Sequence, residues 1–178
     1  MKNILVIAGT SHRESVNLAL ASYTASQIEG AEITTLDLNN FEMPIYSQDR
    51  EEASGIPEEA GKFLAAIQGS DGIILALAEH NGSYTAAFKN VLDWTSRMEQ
   101  KLWSEKPMLL MATSPGGRGG ANVLAAAGGY LPHLGAQVKA TFSLPSFYDN
   151  FDAESGVKDA ESLSKFQEAL QVFKSVLS

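Results

Sequence analysis

The chain has 178 residues, 44% apolar and 19% charged, which suits one globular domain (1–178) with a sizeable core. A formal net charge of −8 argues against nucleic acid as a partner, since a phosphate backbone is met by clustered Lys and Arg, and against docking on an anionic membrane. There is no cysteine, so disulfides, thiolate nucleophiles and Cys-ligated metal sites are excluded.

The apolar run Asn3 to Ala8 predicts a strand over 3–9. It stops at Gly9 after about six apolar positions, shorter than the roughly 7–15 of a secretory core. No later run approaches the ~20 residues of a spanning helix, so a cytoplasmic protein without membrane insertion is expected. A helical pattern over 15–29 is stopped by Gly30, and the strand at 31–38 alternates apolar with polar. Residues 39–56 form a long connection with no clear element, a length that in a compact domain points to function or mobility. Pro57, Glu58 and Glu59 open a helix over 57–69. The runs at 72–79 and 107–114 are almost continuously apolar, as expected for strands buried on both faces. Between them a helix over 84–100 puts Phe88, Val91 and Leu92 on one face, with Trp94 extending the apolar surface. A helix over 120–133, an alternating strand over 137–144 and a helix over 158–177 complete the chain.

Strict alternation of strands and helices implies a parallel sheet with helices on both faces. With the two alternating strands at its edges, the five-stranded sheet has the order 2-1-3-4-5. Such sheets bind ligands at the carboxyl ends of their strands, where the order reverses. That crevice would be lined by the loops after strands one, three and four, which begin at Gly9, Ala78 and Thr113.

The first of these loops reads Gly9-Thr10-Ser11-His12-Arg13-Glu14-Ser15-Val16-Asn17. A strand that turns on Gly and small hydroxyl residues into a helix makes an anion site, because helix-start N–H groups and the helix dipole both favour negative charge. Thr10, Ser11 and Ser15 add hydroxyls, Asn17 an amide and Arg13 a cation. His12 either meets the anion or is a solvated turn residue, and Ser15 could simply cap the helix. Neither G-x-G-x-x-G nor G-x-x-x-x-G-K-[ST] is present, so a single phosphate monoester suits the loop better than a dinucleotide or a nucleoside triphosphate.

The third-strand loop, Ala78-Glu79-His80-Asn81-Gly82-Ser83-Tyr84, offers a tight turn at Gly82, a candidate helix cap at Ser83, and backbone amides able to bond a flat heterocycle. Glu79 beside His80 suggests acid–base work, but no G-x-S-x-G elbow supports a hydrolase. His12, His80 and His133 lack ligand spacing, so no metal is expected. The fourth loop, Thr113-Ser114-Pro115-Gly116-Gly117-Arg118-Gly119-Gly120, has four glycines that permit close ligand approach and movement. Arg118 is either a contact for a second nucleotide's phosphate or a surface charge.

These loops resemble the NADPH-dependent FMN reductase family of flavodoxin-like quinone, azo-dye and chromate reductases. The family's G-S-x-R-x-x-S-x-N is matched at Ser15 and Asn17, while His12 stands in the place of its Arg and Arg13 follows one later. Met43-Pro44-Ile45-Tyr46-Ser47-Gln48-Asp49 resembles L-P-x-[YF]-x-x-D. Residues 78–94 share the E, N-G-S, K-N and D-W positions of P-E-Y-N-G-S-x-P-G-x-L-K-N-x-x-D-W, with His80 replacing an aromatic Tyr. Ser114 to Gly120 resembles S-P-G-x-x-G-G.

The resemblance implies a flavodoxin-like three-layer sandwich with non-covalent FMN in the crevice. Its phosphate would rest on Thr10, Ser11, His12 or Arg13, Ser15 and Asn17. Its ring would lie between Pro44, Ile45, Tyr46 and Glu79, His80, Asn81, Gly82, Ser83, with Ser114 and Gly116 on the far side. A hydride would pass from NADPH or NADH to FMN and then to a quinone, azo, metal-oxyanion or flavin acceptor in ping-pong fashion. No side-chain acid or base is required, so no catalytic residue is assigned. Family members are commonly homodimers or homotetramers, with Tyr46, the 84–100 helix and Trp94 as candidate assembly surfaces. A flavodoxin-type electron carrier and a non-catalytic FMN-binding sensor remain alternatives.

Overall fold

A computed structural model describes residues 1–177. Five strands, β1 (Lys2–Ala8), β2 (Ala31–Leu36), β3 (Gly72–Leu77), β4 (Pro107–Thr113) and β5 (Gln137–Leu144), form one parallel sheet in the order β2-β1-β3-β4-β5. The helices connecting them are α1 (Val16–Ser26), α2 (Gln48–Ser54), α3 (Glu58–Gln68), α4 (Ala86–Met98) and α5 (Ala121–Tyr130). The short helix α6 (Phe147–Asn150), a two-stranded hairpin of β6 (Phe151–Asp152) and β7 (Gly156–Val157), and the long helix α7 (Ala160–Leu177) follow.

The period of two along the central strands divides the core between the two faces of the sheet. Leu5, Ile7, Ile73, Leu75, Leu77, Met108 and Leu110 point to α3, α4 and α5. Ile4, Val6, Ile74, Ala76, Leu109 and Met111 point to α1 and α7. Every residue of β3 is buried, as a strand covered on both faces requires. The edge strands β2 and β5 are only partly covered, which is why their sequences alternate.

Two expectations need correction. The connection over 39–56 is not without structure: a 3-10 turn spans Leu38–Phe41, and α2 begins after Ser47, whose hydroxyl accepts the Arg50 N–H. The helix after β1 ends at Ser26, short of Glu29, and the chain turns through Gly30 at φ +72°.

The helix after β3 is capped by Thr85 rather than by Ser83. The buried Thr85 hydroxyl accepts from the Phe88 N–H at 3.2 Å and donates to the Gly9 carbonyl at 2.8 Å. It therefore ties the end of β1 to the start of α4 as well as satisfying a helix-end donor. Replacing Thr85 with Val keeps the shape but strands both partners in a dry environment. The expected cost is about 1–3 kcal/mol, read as a lower urea midpoint with an unchanged slope.

Candidate functional site

The carboxyl ends of β1, β3 and β4 open on a cleft of about 240 Å³. Thr10, His12, Ser15, Asn17, Glu79, His80 and Ser114 line it together, as the sequence leads one to expect, joined by Glu14, Thr113, Pro115 and Tyr148. Tyr148 was not foreseen: it comes from α6, 70% exposed, and no motif marks it. A second cleft of about 190 Å³ shares Thr10 and His12 and continues along Arg13, Leu36, Asp37 and Leu38. A third, of about 310 Å³, shares Leu38 and runs to Ser11, Met43, Ile45 and the start of α4. Linked by these shared lining residues, the three clefts together make up a trough at the carboxyl end of the sheet. A groove of about 800 Å³ between β5 and α7 contains none of the predicted site residues.

The first loop is held from below. Asn17 is 2% exposed; its Oδ1 accepts the Thr113 N–H at 2.9 Å and its Nδ2 donates to the Thr113 carbonyl at 3.1 Å. Its amide is thus committed to the end of β4 and orients the helix start. Above it, Thr10 and Ser15 are more than nine-tenths buried. Their oxygens accept from the N–H groups of His12 and Asn17, but among the described residues neither hydroxyl proton has an acceptor. The N–H groups of Ser11, Arg13, Glu14, Ser15 and Val16 also lack acceptors among the described residues. Of these residues Thr10 and Ser15 are buried, where donors normally have partners, while Ser11, Arg13 and Glu14 are exposed; such donors gathered at the start of an 11-residue helix suit an anion.

Arg13 points away from this cluster. Its Nε donates to Asp37 Oδ2 at 3.2 Å, outside the cleft that holds Ser15. Asp37 accepts from the Asn39 N–H and side chain, and these bonds, with Arg13 behind them, hold its carboxyl below the usual range. Asn39 in turn donates to the Ser11 carbonyl at 2.8 Å.

In the third loop, His80 and Ser83 exchange two backbone hydrogen bonds across Asn81 and Gly82, at φ +52° and +77°. This is a type I′ turn, for which Asn-Gly is the preferred pair. The Asn81 and Gly82 N–H groups lack acceptors among the described residues. Glu79 is not free for acid–base work: its carboxylate accepts the Val123 N–H at 2.9 Å and the Asn122 amide at 3.3 Å. It thereby supplies the acceptor at the start of α5 that Gly120, the residue in the cap position, cannot.

The glycines of the fourth loop are of two kinds. Gly116 and Gly117 face open space. Gly119 and Gly120 have φ of +57° and +73°, and a Cβ on Gly119 would lie 2.9 Å from the Pro145 nitrogen. Their role is close packing rather than movement. The loop is held further by the Ser146 N–H on the Gly116 carbonyl and the Phe147 N–H on the Ser114 carbonyl. Arg118 is exposed and donates to Asn122.

The second loop is fastened to α4. Trp94 Nε1 donates to the Pro44 carbonyl at 2.7 Å, Asn90 donates to the Met43 and Pro44 carbonyls, and the Tyr46 N–H donates to Asn90 Oδ1. Tyr46 packs edge-on against Trp94 and donates to Glu51, which also accepts from Arg97. This burial and the Glu51 bond raise the Tyr46 phenol above its ordinary range. Tyr46 therefore faces away from the trough, Ile45 lines it, and Trp94, 1% exposed, offers no surface for assembly.

Comparison with known proteins gives consistent results. The NADPH-dependent FMN reductase family matches residues 2–149. An NADPH azoreductase of Bacillus sp. (strain OY1-2) is 33% identical over 121 residues, 68% of this chain and 64% of that protein. A quinone reductase of Pseudomonas putida is 31% identical over 119 residues, 66% of this chain and 63% of that protein. The matched region thus spans less than two thirds of either relative's length. The solved structure of FerB, a flavoenzyme NAD(P)H:(acceptor) oxidoreductase from Paracoccus denitrificans, superposes with a TM-score of 0.76 at 26% identity, covering 99% of this chain and 97% of that one.

Two predictions follow from this geometry. Asn17→Leu leaves the buried Thr113 N–H and carbonyl unpaired, and is expected to cost about 2–4 kcal/mol in urea unfolding. For Asp37, a folded-state pKa below the unfolded value means that its stabilisation is full above about pH 3.9 and is lost as pH falls through the lowered value. The stability difference between wild type and Asp37→Asn should hold steady from pH 5 to 7 and shrink on further acidification, measured by urea titration at each pH.

Proposed function

Because the chain belongs to the NADPH-dependent FMN reductase family, we propose that it is an NAD(P)H-dependent oxidoreductase with non-covalent FMN in the trough. The observation that carries this reading is the set of idle donors around Thr10 and Ser15, which meets the needs of a phosphate monoester. FMN, when bound, would supply the redox chemistry, hydride transfer from NADPH or NADH and electron delivery to a quinone, azo, metal-oxyanion or flavin acceptor in a ping-pong cycle.

The protein's own work is binding and orientation. Thr10 and Ser15 donate to the phosphate with the amides of the α1 start, and Asn17 holds that start in place through Thr113. The Asn81 and Gly82 N–H groups, without acceptors among the described residues, would be the donors able to stabilise negative charge on a flavin held beside this turn. Glu79 fixes the third loop to the start of α5 by accepting the Val123 N–H, and would thereby set the spacing of the loops that hold the flavin. Ser11 and Ile45 border the trough where it widens beside α4, and Ser114, whose hydroxyl donates to the Gly116 carbonyl, borders its other wall. Pro44 and Tyr46 hold the second loop against α4, which sets the position of Ile45.

Assembly into a homodimer or homotetramer and a cytoplasmic location belong to the same proposal. Ile45, 75% exposed, and Met98, 48% exposed, are the apolar groups near α4 available to a second copy. No helix among the described residues is long and apolar enough to cross a membrane.

The test is the absorption spectrum of the purified protein after incubation with FMN. A flavin spectrum that bleaches on anaerobic addition of NADPH or NADH, and recovers on addition of a quinone, is expected. Protein that takes up no flavin would refute the reading, and bound flavin that neither nicotinamide reduces would return it to the carrier or sensor alternatives. Ser15→Ala should weaken FMN binding about tenfold while leaving riboflavin, which lacks the phosphate, nearly unaffected.

A further inference from the structure

On the reading that FMN occupies the trough, we propose that Asn81 is a self-modification site: in the flavin-free protein its side-chain amide is lost to attack by the Gly82 nitrogen, and bound flavin suppresses the reaction.

Of the eight asparagines in the chain, Asn81 alone precedes a glycine. The side chains of Asn3, Asn17, Asn39, Asn90, Asn122 and Asn150 are held in hydrogen bonds. Asn40 and Asn81 have no side-chain partner among the described residues, but Asn40 precedes Phe41, whose side chain crowds its own backbone nitrogen. Gly82 has no Cβ, and the nearest atom to the place one would occupy is Asn122 Nδ2 at 3.7 Å. The Gly82 N–H lacks an acceptor among the described residues, and His80, Asn81, Gly82 and Ser83 are all exposed. The attacking nitrogen and its target are therefore adjacent, unshielded and free of hydrogen bonds.

Two backbone bonds between His80 and Ser83 hold Asn81 at φ +52°, and the reaction proceeds when they open. An exposed turn held by two bonds opens locally at far less cost than the sheet beneath it. The Gly82 nitrogen then gives its proton to solvent and bonds to Asn81 Cγ. The Cγ–Nδ2 bond breaks and ammonia leaves, which closes a cyclic imide. Water opens that ring. Attack at Cγ yields aspartate, and attack at the main-chain carbonyl yields isoaspartate, whose backbone is longer by one methylene. No electrons change hands, and water is the only co-reactant.

Either product places a new carboxylate two positions from Glu79, whose own carboxylate already borders the cleft, and isoaspartate also breaks the pairing of His80 with Ser83. Negative charge then stands where the unmodified turn offers two idle donors, which weakens the hold on a flavin and most of all on a reduced, anionic one. With flavin seated on the turn, the Gly82 N–H is engaged and the open turn becomes rarer in proportion to the occupancy of the site. Protein that carries its cofactor stays intact, and protein without it gradually loses the capacity to take one up.

The experiment incubates freshly purified apoprotein in warm, mildly alkaline buffer, alone, with FMN, and unfolded in urea. Peptide mass spectrometry follows the tryptic peptide 63–89, in which Asn81 is the only asparagine, and fragmentation separates a change at Asn81 from one at Gln68. Isoaspartate is counted by enzymatic methyl labelling, and FMN capacity by quenching of flavin fluorescence. Support is conversion of Asn81 in the folded apoprotein ahead of every other asparagine, slowed about tenfold with FMN at about ten times its Kd. FMN capacity should fall in step with conversion in wild type and hold at its starting value in Asn81→Gly, which keeps a residue suited to the turn. Fresh Asn81→Asp should bind FMN about tenfold more weakly than wild type. An Asn81 that converts in the unfolded chain but not in the folded apoprotein overturns this inference and leaves FMN binding intact, as does conversion at the same rate with saturating FMN. Fresh wild type that binds no FMN overturns the functional reading, and the protection with it.

Discussion

The structure depends on one buried pair of hydrogen bonds, the Asn17 side chain against the peptide group of Thr113. At the carboxyl end of a central parallel strand the ladder stops, and the backbone groups just beyond it have no neighbour strand to bond. Asn17 satisfies both groups of Thr113 at once, from the first turn of the helix that follows a different strand. The Thr113 hydroxyl, donating to the Leu144 carbonyl, extends the same junction to β5. An amide offers a donor and an acceptor in a single rigid plane, so no apolar residue of similar volume can replace it.

From that junction the site spreads by further ties between loops. Thr85 joins the end of β1 to α4, and Glu79 joins the loop after β3 to the start of α5. Asn39 joins the loop after β2 to Ser11. Each tie is made by a polar side chain whose partner is a backbone group otherwise left unpaired. The walls of the trough are in this way rigid, while the donors that face into it stay idle. That division is what preorganised recognition of an anion would need: the supporting atoms are satisfied within the protein, and donors without a protein partner are gathered beside them.

Several residues with chemically suggestive side chains turn out to be framework. Glu79 looks like an acid–base group and serves as a helix-end acceptor. Arg13 looks like the anion's cation and pairs with Asp37, an exposed pair of little energetic weight but a definite direction. Trp94 looks like a surface aromatic and is a buried donor to the second loop. In each case a neighbouring backbone group or opposite charge, brought close by the fold, claimed the side chain first.

The alternation of buried runs with helical patterns, the identity of the edge strands and the three loops at the switch point were all readable in the chain, because apolar periodicity and turn residues act over a few positions. The Asn81-Gly82 turn and the first-loop hydroxyls were readable for the same reason: their geometry is local. Helix α2 was not, since its seven residues bury nothing and leave no apolar stripe to detect. Tyr148 joined the cleft only because α6 folds back over the fourth loop, and the direction of Arg13 was set by Asp37, 24 positions away. Strand order and loop placement follow from patterns along the chain, whereas the direction of each polar side chain depends on which distant backbone group or charge the packed sheet carries within its reach.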